Sequence, residues 1–147
     1  MTFTAKHTAY RHAITVARPM PGALEVFTPE GERAWAEGWD PKMLWPANGA
    51  TTAGMVFTTD HGGEHTIWTM SRHEPAAGWV QYVRTTPGSR VGVVTVRCSE
   101  AGPAATRVEV DYEITALTEA GNAFLEDLTR EKFAAFIDSW REAIGRL

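Results

Sequence analysis

Polar and apolar positions along the chain follow two rhythms. From residue 51 to residue 116 they alternate with a period of two, and from residue 118 onward they recur every three or four residues. The clearest alternation covers 105–116. There Val108, Val110, Tyr112 and Ile114 face one way, and Arg107, Glu109, Asp111 and Glu113 the other. Such a strand has one buried and one wet face. Four more strands are predicted over 51–60, 64–73, 79–86 and 90–99. The breaks between them are His61-Gly62-Gly63, Glu74-Pro75-Ala76-Ala77-Gly78 and Pro87-Gly88-Ser89, with Ala101-Gly102-Pro103 before the last strand. Links this short join consecutive strands as an antiparallel meander. The inward set is Trp68 and Met70, then Val80 and Tyr82, then Val94, Val96 and Cys98. The outward set holds Gln81, Thr95 and Arg97, joined by Ile67, Trp79 and Val83.

Upstream, residues 10–17 also alternate, with Tyr10, His12, Ile14 and Val16 on one side, and predict a first strand. Arg18-Pro19-Met20-Pro21-Gly22 ends it. Pro21 suits the first position of a short helix running to about Phe27. Thr28 can cap a second short helix, with Pro29 at its first position and Glu30 and Glu32 at its positive dipole end. Gly38 and Pro41 close that element. The C-terminal rhythm predicts one long helix capped by Thr118, although Gly121 costs about 1 kcal/mol inside it. Its apolar stripe is Leu125, Leu128, Phe133, Phe136, Ile137, Trp140 and Ile144. Its polar face is Glu126, Asp127, Arg130, Glu131, Asp138 and Arg141. That stripe needs an apolar partner, and the inner face of the sheet is the large one available. The order is strand, two short helices, five strands and a long helix: an α+β chain, read as a single domain over 1–147 with no repeat or linker.

Composition narrows the classes. The chain has 147 residues, 44% hydrophobic and 22% charged, which is globular and neither disordered nor membrane-integral. The net charge of −4 without a basic block makes nucleic acid a poor partner. Cys98 is the lone cysteine, so no intrachain disulfide forms; it reads as a small buried hydrophobe in a cytoplasmic protein. Six Trp beside six Phe and three Tyr are a large aromatic load for this length.

The segment Val26-Phe27-Thr28-Pro29-Glu30-Gly31-Glu32-Arg33-Ala34-Trp35, followed by Gly38-Trp39-Asp40-Pro41, resembles the small bacterial START-like domains of the SRPBCC, or polyketide cyclase/dehydrase-like, superfamily. Weaker likeness lies in the Tyr82 strand running into Pro87-Gly88 and in Ala116-Leu117 before the last helix. As an element order the resemblance spans nearly the whole chain. It implies a helix-grip fold, a curved antiparallel sheet wrapped around a long C-terminal helix, with a hydrophobic cavity between them. It does not imply one activity: members bind lipids, steroids or polyketides, a few catalyse cyclisation, and others act on chaperones.

The expected cavity lining is Trp68, Met70, Val80, Tyr82, Arg84, Val94, Val96 and Tyr112 from the sheet, with Leu128, Phe136 and Trp140 from the helix. The same residues also suit a solid core. Arg72 and Arg84 share the inward phase near strand ends, where arginine is usually solvated; either is placed to hold a carboxylate or phosphate at the mouth. Trp35, Trp39 and Trp45 read as a cluster pinning a long loop, or else as a lid. His61-Gly62-Gly63-Glu64-His65 spells a zinc-protease string, but that chemistry needs a helix, and paired glycines form turns. No metal site is expected. No nucleophile-elbow, Walker-type or dinucleotide pattern is present, so no cofactor is expected either.

Three functions stay open. One is binding of a small apolar or amphipathic molecule. Another is a cyclase- or hydrolase-type enzyme using Tyr82, Tyr112, a strand-end arginine and His12. The third is a chaperone-type interaction protein, or a homodimer, using Ile67, Trp79 and Val83.

Overall fold

The computed structural model describes residues 2–147. Seven strands form one curved antiparallel sheet: β1 (His7–Val16), β2 (Lys42–Trp45), β3 (Val56–His61), β4 (Glu64–Glu74), β5 (Trp79–Thr86), β6 (Arg90–Gly102) and β7 (Ala105–Ala116). Their spatial order is β1-β7-β6-β5-β4-β3-β2, so β3 to β7 are the meander and β1 closes it by pairing with β7. At the β3–β4 turn Gly62 and Gly63 take positive φ angles of 58° and 82°, the mirror-image turn that suits the twist of a hairpin. The His-x-x-Glu-His string therefore lies on a hairpin, not on a helix.

Two short helices follow β1. Helix α1 (Met20–Ala23) runs into a 3-10 turn (Leu24–Phe27), and α2 (Pro29–Glu32) starts behind Thr28. The Thr28 hydroxyl accepts from the Gly31 amide at 3.0 Å, with Pro29 at the first helical position. The expected helix from Pro21 is less regular than its sequence suggests, because Pro21 and Gly22 have non-helical angles inside α1.

The C-terminal stripe folds as two helices rather than one. Helix α3 (Glu119–Asp127) ends at Leu128, and α4 (Arg130–Gly145) begins behind Thr129. Thr129 Oγ1 accepts from the Lys132 amide at 3.1 Å, and the Tyr10 hydroxyl of β1 donates to the Leu128 carbonyl at 3.0 Å. Backbone groups freed by the break are thus satisfied. Helix α3 lies on β7 and α4 lies along β1, where His12 bonds Asp138 at 2.8 Å. Two further differences concern the sheet. The strand expected from residue 51 starts only at Val56, and β2 was not expected at all.

The core is the inner face of the sheet, the underside of α4 and the α1–α2 segment. Phe27, Phe57, Phe133, Met55, Met70 and Ile137 are its largest fully buried side chains. Each contributes roughly 1.5–3 kcal/mol through burial. The outer face is polar. Arg97 bonds Glu109 at 2.7 Å and also reaches Asp111, which pairs with Arg11 at 2.6 Å.

Candidate functional site

Because α4 follows the β1 edge, the aromatic core does not fill the space above the middle strands. Two adjoining lobes remain there. The first holds about 310 Å³ and is walled by Ile114, Phe124, Leu128, Phe133 and Phe136 above a floor at Gly92. The second holds about 400 Å³ and is walled by Trp35, Trp39, Trp68 and Trp140, with Glu32, His61 and Ser139. Arg84, Tyr112 and Phe136 border both lobes and form the waist between them. Phe136 is 48% exposed although it lies on the apolar stripe, which places it at the mouth.

The indoles of the second lobe are fixed in place. The Trp35 Nε1–H donates to the Val26 carbonyl at 2.7 Å and the Trp39 Nε1–H to the Pro29 carbonyl at 2.9 Å. Trp68 Nε1–H donates to the Thr59 hydroxyl at 2.9 Å, and its ring stacks on Phe57 with centroids 5.6 Å apart. Trp140 reaches down from α4 to within 5.6 Å of the Trp35 ring centroid. A pocket with rigid aromatic walls has little rotamer freedom to lose when a ligand arrives.

Polar groups converge at the waist. The Arg84 guanidinium lies over the Trp68 ring, 4.5 Å from its centroid, and interacts with the Tyr112 hydroxyl. Arg90, the other arginine of the first lobe, is already neutralised: two of its nitrogens each bond a Glu64 oxygen at 2.9 Å, and its guanidinium covers the Phe124 ring at 3.5 Å. Arg84 forms no ion pair among the described residues; the Glu64 carboxylate, paired with Arg90, acts on it only at longer range, and Glu32 shares its lobe. Burial pushes the Glu32 carboxyl well above the usual carboxylate range, and the Arg84 charge opposes that only in part. Burial likewise raises the Tyr112 hydroxyl to about 12, so it remains a proton donor at neutral pH. The waist therefore carries a cation and a phenol, and the Glu32 carboxyl in the second lobe stays protonated to higher pH than an ordinary carboxylate.

Of the residues expected to line a cavity, Trp68, Arg84, Tyr112, Leu128, Phe136 and Trp140 do border the lobes. Met70, Val80, Tyr82, Val94 and Val96 face the same interior but are packed solid beneath it and give it no wall. The Tyr82 hydroxyl is occupied by the Phe27 carbonyl at 2.8 Å, which removes it as a catalytic candidate. His12 is removed too, since its ring turns to Asp138 outside the lobes. Arg72 does not point inward: a bulge between Met70 and Arg72 shifts the phase, and its guanidinium covers Trp79 on the outer face, 4.3 Å from the ring centroid. Trp45 is not part of the tryptophan cluster; it is 56% exposed on β2. Trp35 and Trp39 both pin the loop and line the cavity. Glu32, Arg90, Phe124 and Phe133 were not anticipated as lining. Only Phe133 carried a signal, its place on the apolar stripe.

Among the described residues, no three His, Cys, Asp or Glu side chains gather as a metal site, and no helix is long and apolar enough to cross a membrane. His65 bonds Asp60 at 2.7 Å, while His61 packs beside Gly38.

No protein-family model matches the chain, and no curated protein sequence matches it significantly. Solved structures do match. Norcoclaurine synthase from Thalictrum flavum, in complex with dopamine and hydroxybenzaldehyde, is similar over 94% of this chain and 86% of its own, with a TM-score of 0.67 at 12% identity. An aromatase/cyclase from Streptomyces sp. R1128 is similar over 96% of this chain and 95% of its own, with a TM-score of 0.67 at 17% identity. The fold is the START-like helix grip. A third match, a hypothetical protein from Helicobacter pylori, reaches a TM-score of 0.74 at 6% identity over 95% of this chain and 86% of its own. Identities this low speak for the START-like fold alone, so the chemistry has to be argued from the cavity.

Proposed function

We propose that this START-like domain binds a small amphipathic molecule in the two-lobed cavity between sheet and α4. One observation carries the reading: apolar walls on both sides of a waist formed by Arg84 and Tyr112, with Glu32 in the second lobe. Ligand pockets of soluble proteins have this composition, mostly apolar with a few placed polar groups. That the similar folds include a synthase complexed with dopamine and hydroxybenzaldehyde supports a small-molecule role.

The test fills the cavity from its floor. A Cβ at Gly92 would lie 3.2 Å from Arg84 Cγ and 3.7 Å from Ile114 Cγ1. Gly92→Val therefore pushes Arg84 into the first lobe. Titration of an environment-sensitive apolar dye, followed by fluorescence, is expected to show saturable binding to the native chain and a loss of about tenfold or more, ~1.4 kcal/mol, in the variant. Equal binding to both would place the dye elsewhere.

A second reading, acid–base catalysis of cyclase type, is favoured by Glu32, the carboxyl partner that Tyr112 and Arg84 lacked in sequence. A carboxyl that burial keeps protonated to higher pH than usual, in the same lobe as a phenol, can pass a proton to a bound carbonyl compound. An interaction role on the outer face has less support, since Trp79 there lies between Arg72 and Arg97, 4.3 and 4.9 Å from its ring centroid.

A further inference from the structure

The two arginines of the first lobe are in different states. Arg90 has its counter-ion in Glu64, held by two hydrogen bonds. Arg84, on the neighbouring strand, has an aromatic face below it and a phenol beside it but no carboxylate in ion-pair contact. A guanidinium held inside a protein without an anion keeps the cost of leaving water and gains no pairing in return. Nothing about the hydroxyl of Tyr112 or the ring of Trp68 neutralises it. The apolar lobe opens directly at its end, past Phe136 and Leu128.

From this arrangement we infer that the waist is a carboxylate site: Arg84 receives the head group of an amphipathic monocarboxylic acid, and the apolar body of that acid occupies the lobe walled by Phe124, Leu128, Phe133 and Phe136. The inference rests on the cavity-binding reading and names its ligand class. A guanidinium matches the two oxygens of a carboxylate in its plane, and Tyr112 supplies a further donor. One free guanidinium suits one negative charge. A phosphate dianion would call for a second cation, and Arg90 is already committed to Glu64.

Glu32 gives this site a dependence on pH. While its carboxyl is neutral the waist is cationic and accepts an anion. Once ionised, Glu32 offsets Arg84 and repels the ligand. Other charged or titratable groups surround the same space: Tyr112 from β7, Arg90 and Glu64 at the first lobe, Glu37, His61 and Arg146 around the second, and Tyr82 packed beneath it from β5. Burial raises the Glu32 carboxyl, so the change falls at higher pH than for an ordinary carboxylate.

Calorimetric titration with decanoate and with decan-1-ol, which share a chain and differ in head group, tests the inference. Decanoate is expected to bind the native protein at least about tenfold tighter than decanol. Arg84→Gln is expected to bring decanoate down to the level of decanol, with a circular-dichroism melt showing that the variant is folded. Arg84→Lys keeps the charge without the planar fork and is expected to retain part of the preference. Measured from about pH 6 upward, where decanoate itself stays ionised, decanoate affinity should fall as pH rises. Glu32→Gln should abolish that fall, and His61→Gln should leave it in place. Equal affinity for acid and alcohol, or a preference that survives in Arg84→Gln, overturns the carboxylate site and leaves the cavity reading standing. Failure of both compounds to bind the native protein overturns the cavity reading and this inference with it.

Discussion

Glu32 sits among polar neighbours in sequence, between Gly31 and Arg33, yet its carboxyl ends in a cavity behind Trp35 and Trp39. Its surroundings keep it protonated to higher pH than in the unfolded chain. Its contribution to stability is therefore full below the unfolded carboxylate pKa and is lost as pH rises through the folded one, because the unfolded chain ionises first. Glu32→Gln is expected to raise the thermal midpoint at neutral and mildly alkaline pH and to leave it unchanged at about pH 4, as melts followed by circular dichroism will show. A drop at neutral pH would mean that the carboxylate is ionised and paired. Cys98 makes the opposite point about chemistry. It is 5% exposed, and burial pushes its thiol up to about 11. The folded protein should not react with a thiol reagent near neutral pH, and should react at once in denaturant. Arg84 could be found in the sequence because it keeps the strand phase of Tyr82. Arg72 could not be placed, because one bulge residue reverses the phase between Met70 and Arg72. Glu32 had no signal, since nothing local distinguishes a carboxylate that a distant helix covers from one in water.

The elements were legible where burial imposes a rhythm. Strand β7 alternates in the structure as in the sequence, because one face meets the core and the other the Arg97–Glu109 ladder. Strand β2 has no such rhythm. It is a four-residue edge with Leu44 and Trp45 exposed, recognisable only through its pairing with β3. The break at Leu128–Thr129 was hidden because the apolar stripe continues straight through it. Thr129 followed by Arg130, Glu131 and Lys132 was the available cue, a cap in mid-stripe. Thr129→Ala is expected to cost about 1 kcal/mol, with faster amide exchange confined to the first turn of α4. Gly121→Ala should destabilise although helix propensity alone predicts a gain of about 1 kcal/mol, since a Cβ there would clash with the Ser89 carbonyl oxygen. Both are read from denaturant unfolding, and a stabilised Gly121→Ala would contradict the close packing of α3 on the β5–β6 turn.

At the scale of the whole molecule the fold class followed from element order, while the cavity depended on a packing detail: α4 lies along β1 and is pinned there by His12 and Tyr10. A helix centred over the sheet would have closed the space. The six tryptophans report on this directly. Trp35, Trp39, Trp68 and Trp140 wall the second lobe, whereas Trp45 lies on the β2 edge and Trp79 on the outer face. The most direct measurement is a two-dimensional nitrogen–proton spectrum of the indole groups, recorded during titration with decanoate. The account predicts that the signal of Trp68, whose ring lies under the Arg84 guanidinium, shifts saturably while those of Trp45 and Trp79 stay in place. Shifts confined to Trp45 or Trp79, or no saturable shift at Trp68, would contradict it.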